Sequence, residues 1–227
     1  MAAKASAKMR VLFIGNSFTA RNNLPGLVAQ LADSRGQQLE YQLIQGGGAS
    51  LRMHWNNGEA QQAIERTRYD YVVLQEQSTL PIKNPLRFHE NVRLFDQAIK
   101  ASGAQTALYL TWARQNAPET QQALTDAYLA IGEELGAKII PAGVAWQNFI
   151  LGHRSPVLHD KDQSHPTLAG SYLAACVFFV VLFGENPVGL ASDLKGVTQT
   201  EAELLQKTAW AAVTPARRTK KNKAEVQ

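Results

Sequence analysis

At 227 residues, 45% of them apolar, the chain can bury one substantial core, most simply as a single domain. Its formal charge of +4 resides in the last segment, where Arg217, Arg218, Lys220, Lys221 and Lys223 face only Glu225. The body is therefore neutral and lacks the basic, aromatic-interleaved stripe of a nucleic-acid binder. The longest apolar run, Tyr172–Phe183, falls well short of the roughly 20 residues that span a bilayer, so no membrane partner is expected.

Short apolar runs alternate with longer segments of helical period. Val11–Ile14 reads as a buried strand followed by a helix near Leu24–Ala32; Leu39–Ile44 is a second strand, followed by one polar helix through Arg52–Arg68. Tyr71–Leu74, Thr106–Leu110 and Lys138–Pro141 are further strands, separated by helices over Phe88–Ala101 and Glu119–Leu135. Helices over Val144–Leu151, Thr167–Phe183 and Thr200–Ala212 close the chain. Strands that are apolar throughout need cover on both faces, which makes them parallel and places them between helix layers. The fold expected is a three-layer α/β/α sandwich of about five parallel strands. A disordered segment over 1–9, one domain over 10–213 and a basic disordered tail over 214–227 complete the division. The N-terminus has no apolar segment of signal-peptide type, which favours the cytoplasm, although a signal already removed would leave no trace. The single Cys176 can form no intramolecular disulfide, in keeping with a reducing compartment.

In open parallel sheets ligands bind beyond the carboxyl ends of the strands. Polar and small residues collect at those points: Gly15-Asn16-Ser17-Phe18-Thr19, Gly46-Gly47-Gly48-Ala49-Ser50, Gln75-Glu76-Gln77-Ser78 and Trp112-Ala113-Arg114-Gln115-Asn116, with Asp162-Gln163-Ser164-His165-Pro166 late in the chain. Ser17 offers a hydroxyl where a buried strand gives way to a turn, or else it or Thr19 caps a helix. Asp162 stands three residues before His165. One local segment thus supplies a base that takes a serine proton and an acid that orients the imidazole. The plain alternative is that Asp162 caps the following helix. His159, Asp160, Asp162 and His165 also admit a metal site, against which the remaining histidines show no ligand spacing. The glycine run matches neither phosphate-binding fingerprint and suits a tight turn or a backbone N–H aimed at an oxyanion.

With these segments in view, the chain resembles the SGNH hydrolases, the GDSL-like esterases and lipases on a flavodoxin-like sandwich. It looks most like a bacterial branch marked by G-N-S-F-T near the N-terminus and L-Q-E-Q-S after the third strand. The resemblance runs from about Arg10 to Gly184. It implies Ser17 as nucleophile, Asp162 and His165 as acid and base, and an oxyanion hole built from the N–H groups of Ser17 and Gly48 with the amide of Gln77. Gly47 fits the second block with a one-residue shift. Two departures stand out: Gln77 falls where the family has Asn, and Asn16 where it more often has Asp.

The activity implied is two-step hydrolysis of a carboxylic ester with a short acyl group, an O-acetylated carbohydrate being the favoured substrate, without metal or cofactor. Trp112, with Arg114 and Asn116, is the expected substrate platform, to which His54 and Trp55 would add; the same residues also fit core packing. The rival readings are a binding module that has lost its chemistry, for which Gln77 is the best support, and a metal-dependent hydrolase.

Overall fold

A computed structural model describes residues 8–192 and 194–214. The remaining parts of the expected terminal segments lie outside the described residues. Five strands, β1 (Lys8–Gly15), β2 (Gln38–Gln45), β3 (Tyr71–Leu74), β4 (Gln105–Tyr109) and β5 (Lys138–Ile140), form one parallel sheet in the order β2-β1-β3-β4-β5. The helices are α1 (Ser17–Ala20), α2 (Leu24–Asp33), α3 (Leu51–Asn57), α4 (Glu59–Arg66), α5 (Leu80–Lys83), α6 (Pro85–Ala101), α7 (Gln121–Leu135), α8 (Ala142–Gly152), α9 (Leu168–Phe183) and α10 (Gln199–Val213).

Side chains alternate across a strand, and β1 shows why it had to be apolar throughout. Val11 and Phe13 enter a core with α2, α8, α9 and α10, whereas Leu12 and Ile14 enter a second core with α3, α4, α6 and α7. Both faces of the inner sheet are dry, and the layers are α/β/α as the alternation predicts. Helix α9 is apolar on every side because it is covered on every side: Phe178 packs on Phe13 and Tyr109 at 5.6 and 4.8 Å. On its far side Gln206 of α10 donates to the Tyr172 hydroxyl at 2.7 Å. Among the described residues no helix is long and apolar enough to cross a membrane.

Three local expectations are corrected. Lys8 and Met9, assigned to the disordered segment, belong to β1. They pair in register with Gln38 and Leu39, and Lys8 also meets Glu40 at 2.7 Å. The helix expected through Arg52–Arg68 is two helices, because Gly58 at φ +80° turns the chain into the left-handed region between α3 and α4. Strand β2 buries only Ile44; it is the sheet edge, so cover on both faces holds for the inner strands alone.

Order 2-1-3-4-5 reverses direction between β1 and β3, and the crevice at that switch is where such sheets bind ligands. The loops leaving β1, β2, β3 and β4 all open there.

Candidate active site

The turn after β1 is held from all sides. Gly15 sits so close to Gln75 and Thr19 that a Cβ would lie 2.6 Å from the side-chain oxygen of each. Its carbonyl accepts from Gly46 N at 3.2 Å and from His54 Nε2 at 2.7 Å. A carbonyl can only accept, so His54 carries its proton on Nε2, and burial pushes its pKa down, keeping the ring neutral. Asn16 is the N-cap of α1: its Oδ1 accepts from Phe18 N at 3.1 Å, and its Nδ2 donates to Ala49 O at 3.0 Å. A carboxylate could not make the second bond, which gives Asn at this position a local reason. Gln75 Oε1 takes the Asn16 N–H at 2.8 Å and the Thr19 hydroxyl at 3.0 Å. With the capping done by Asn16, the Ser17 hydroxyl is left free to leave the turn.

It points at the late loop. Ser17 Oγ lies 2.7 Å from His165 Nε2, and His165 Nδ1 lies 2.5 Å from Asp162 Oδ2. The other carboxylate oxygen, Oδ1, accepts from Ser164 N at 3.0 Å and His165 N at 2.9 Å. The backbone N–H of His165, then its ring, hold the Asp162 carboxyl far below the usual carboxylate range. An ionised Asp162 fixes the proton of His165 on Nδ1 and leaves Nε2 to accept from Ser17. Gln163 between them adopts φ +61°, the left-handed turn that folds the carboxylate beneath the ring. Thr167, not Asp162, caps α9, taking the Gly170 N–H on its hydroxyl at 3.2 Å.

The late loop is clamped to the loop after β4. Trp112 Nε1 donates to Ser164 O at 3.0 Å, Gln115 N donates to Gln163 O at 2.9 Å, and His159 Nε2 donates to Ala113 O at 3.0 Å. Trp112 also stacks flat on Trp146 at 3.8 Å and against Phe18 at 5.1 Å, and Phe18 in turn lies 5.3 Å from the His165 ring. Trp112 is therefore 2% exposed, and the expectation that it forms a substrate platform is corrected: its indole holds the loop that carries Asp162 and His165. His54 is buried under the first turn, so it adds to no platform, and the half-buried Trp55 packs edge-on against Phe95 at 5.1 Å. Arg114 and Asn116, on the same loop as Trp112, are exposed.

The oxyanion candidates lie on two other loops. Gly48 is exposed at φ +65°, with open space around its Cα. Gln77 Oε1 accepts from Thr79 N, Thr79 Oγ1 and Leu80 N at 2.9, 3.0 and 3.0 Å. Three donors on one oxygen decide which end of the amide is which and leave Nε2 as the unused donor. Among the described residues the backbone N–H groups of Ser17 and Gly48 also have no partner.

The residues of the alternative metal site are each engaged with other partners. His159 turns to Ala113 O, Asp160 pairs with Arg21 at 2.9 Å, and Asp162 serves His165. Among the described residues no group of three or more His, Cys, Asp or Glu side chains is placed to hold a metal ion.

Gln75, Glu76 and Asn91 are among the buried polar groups; the sequence reads Gln75 as an amide donor or a polar loop residue and Glu76 as a surface charge or a hydrogen-bond partner for a neighbouring loop, and gives Asn91 no role. For Gln75 and Glu76 the one legible signal is the run Gln-Glu-Gln that follows directly on a fully apolar strand; Asn91, inside α6, has none.

No family model and no curated protein matches the sequence. Solved structures do. A protein from Slackia heliotrinireducens assigned to the SGNH hydrolases is 26% identical, with a TM-score of 0.67 over 78% of this chain and 100% of that one. The chain belongs to the SGNH hydrolase superfamily. A DUF4886 family protein from Bacteroides uniformis shares the fold at 22% identity and a TM-score of 0.72, over 91% of this chain and 95% of that one. So does an acetyl-xylooligosaccharide esterase of Geobacillus, at 17% identity and a TM-score of 0.61, over 84% of this SGNH chain and 100% of the esterase.

Proposed function

We propose that this SGNH protein is a serine esterase that hydrolyses carboxylic esters with a short acyl group. The observation that carries the reading is the unbroken chain Ser17 Oγ–His165 Nε2–His165 Nδ1–Asp162 Oδ2, at 2.7 and 2.5 Å. Side chains from two segments 148 residues apart have no packing reason to align this way at the crevice of the sheet. Neutral His165 takes the Ser17 proton as Oγ attacks the ester carbonyl. The N–H groups of Ser17 and Gly48 and the Gln77 amide receive the oxyanion. His165 then protonates the departing alcohol, and water repeats the cycle to free the acid.

The site is shallow: Ser17 and His165 are half-buried, while Gly47, Gly48 and Asp162 are exposed. That favours a small acyl group on a large polar alcohol, such as an O-acetylated carbohydrate, with Arg114 and Asn116 as exposed polar groups flanking Gln115, whose N–H is bonded to Gln163 O of the acid–base loop. The superfamily membership and the fold shared with an acetyl-xylooligosaccharide esterase support this substrate class.

The test is turnover of p-nitrophenyl acetate by the parent, Ser17→Ala and His165→Ala, beside labelling by a fluorophosphonate probe. The parent should turn over and label, and both should vanish in Ser17→Ala. Equal rates in all three chains would refute the reading.

A further inference from the structure

Glu76 is fully buried, and the proposed reaction makes no direct use of it. It lies between the two loops that carry the oxyanion donors. Its Oε1 accepts at once from Gln77 N at 2.7 Å and from Leu51 N at 3.0 Å. The first bond fixes the backbone of Gln77. The second fixes the chain three residues beyond Gly48, and Asn16 holds the intervening Ala49 by its carbonyl at 3.0 Å. Glu76 Oε2 accepts from Asn91 Nδ2 at 2.9 Å, and Asn91 Oδ1 accepts from Arg52 Nε at 2.9 Å.

We infer that Glu76 is a positioning residue for catalysis, its carboxylate setting the spacing between the Gly48 and Gln77 donors. The inference rests on the esterase reading above. Only a group with two acceptor oxygens fits this place. An amide could keep the Leu51 and Gln77 N–H groups on its oxygen, but its NH2 would then face the NH2 of Asn91. Asn91 cannot turn over in response, because that would aim its own NH2 at the Arg52 guanidinium, which has no acceptor. The relay Arg52–Asn91–Glu76 therefore has a defined polarity, ending on the bridge between the two loops. Burial pushes the Glu76 pKa upward, against the lowering effect of the Asn91, Gln77 and Leu51 donors. A carboxylate retained at such a place has bonds that a neutral residue does not replace.

Glu76→Gln should leave KM for p-nitrophenyl acetate within about threefold while kcat falls roughly 10–100-fold, since displacing a reacting group by about 1 Å costs on that order. Affinity for a boronic acid, which forms a tetrahedral adduct on serine, should weaken by a similar factor. The rescue is specific. In Glu76→Gln/Asn91→Asp the new amide can donate to the new carboxylate, which also pairs with Arg52, so kcat should return to within about threefold of the parent. A single variant within threefold of the parent overturns the inference, as does a double variant that folds but stays as slow as the single. So does a loss that tracks the unfolded fraction by circular dichroism. Should the single variant fail to fold, the double carries the test, and failure of both makes the role purely structural and the inference wrong. A parent no faster than Ser17→Ala would instead remove the esterase reading itself, and the role of Glu76 with it.

Discussion

Asp162→Asn tests the proposed chemistry at its most sensitive point. Asp162 Oδ1 is occupied by two backbone N–H groups, at 3.0 and 2.9 Å. An asparagine would keep its single oxygen there, because turning it away would strand both donors. Its NH2 must then face His165 Nδ1, now 2.5 Å from Oδ2. Two donors cannot share that contact, so the ring proton moves to Nε2, and Nε2 then donates to Ser17 where it must accept. Leaving the donors opposed costs about 1–3 kcal/mol, which alone makes the working tautomer roughly 5–150-fold rarer. Losing the charge that stabilises the imidazolium adds to this, and a wrong tautomer in another serine hydrolase costs about 10⁴ in kcat. We expect kcat to fall about 10³–10⁴-fold with KM nearly unchanged, measured by steady-state p-nitrophenyl acetate hydrolysis. A variant within tenfold of the parent, at matched folded fraction, would refute the tautomer argument and with it the role of Asp162.

Four further outcomes are expected. Gln77→Ala should lower kcat by about 10²–10³ with little change in KM, the usual effect of losing one oxyanion donor; an unchanged kcat would show that the extra methylene keeps Nε2 out of the site. Trp112→Phe keeps the ring stack but deletes the bond to Ser164 O, so chemical denaturation should show a loss of about 1 kcal/mol and kcat should drop several-fold. Gly143→Ala would set a Cβ 2.0 Å from Thr111 O and 2.6 Å from the Gln121 amide, and overpacking of this kind should cost at least about 1–3 kcal/mol in thermal unfolding. The depressed pKa of Asp162 means that the unfolded chain binds its proton more readily, so its contribution to stability is present above the ordinary carboxylate value of about 4 and fades as pH falls below it. The gap in Tm between the parent and Asp162→Asn should accordingly narrow on acidification below about pH 4; a gap constant from pH 7 to pH 3 would contradict the shift.

Much of this protein could be read from the chain because the signals are local. Val11–Ile14 and Tyr71–Leu74 are apolar without interruption, and only strands covered on both faces can be; that dictated helices above and below a parallel sheet. Ser17 and the pair Asp162/His165 stood out because a turn serine and an acid three residues before an imidazole are recognisable in one dimension. Gly58 shows the limit: nothing local distinguished a glycine that ends a helix from one tolerated inside it. The tertiary structure alone decided the positions of Trp112, His54 and Glu76. A tryptophan on a loop presents the same sequence signal whether it faces ligand or lies under 2% exposure, because its burial depends on Trp146 and Phe18 from remote segments. Likewise the sequence leaves Glu76 open between a surface charge and a hydrogen-bond partner for a neighbouring loop until Leu51, Gln77 and Asn91 close on it, since hydrogen bonds across loops are set by how the sheet brings those loops together and leave no period or motif behind.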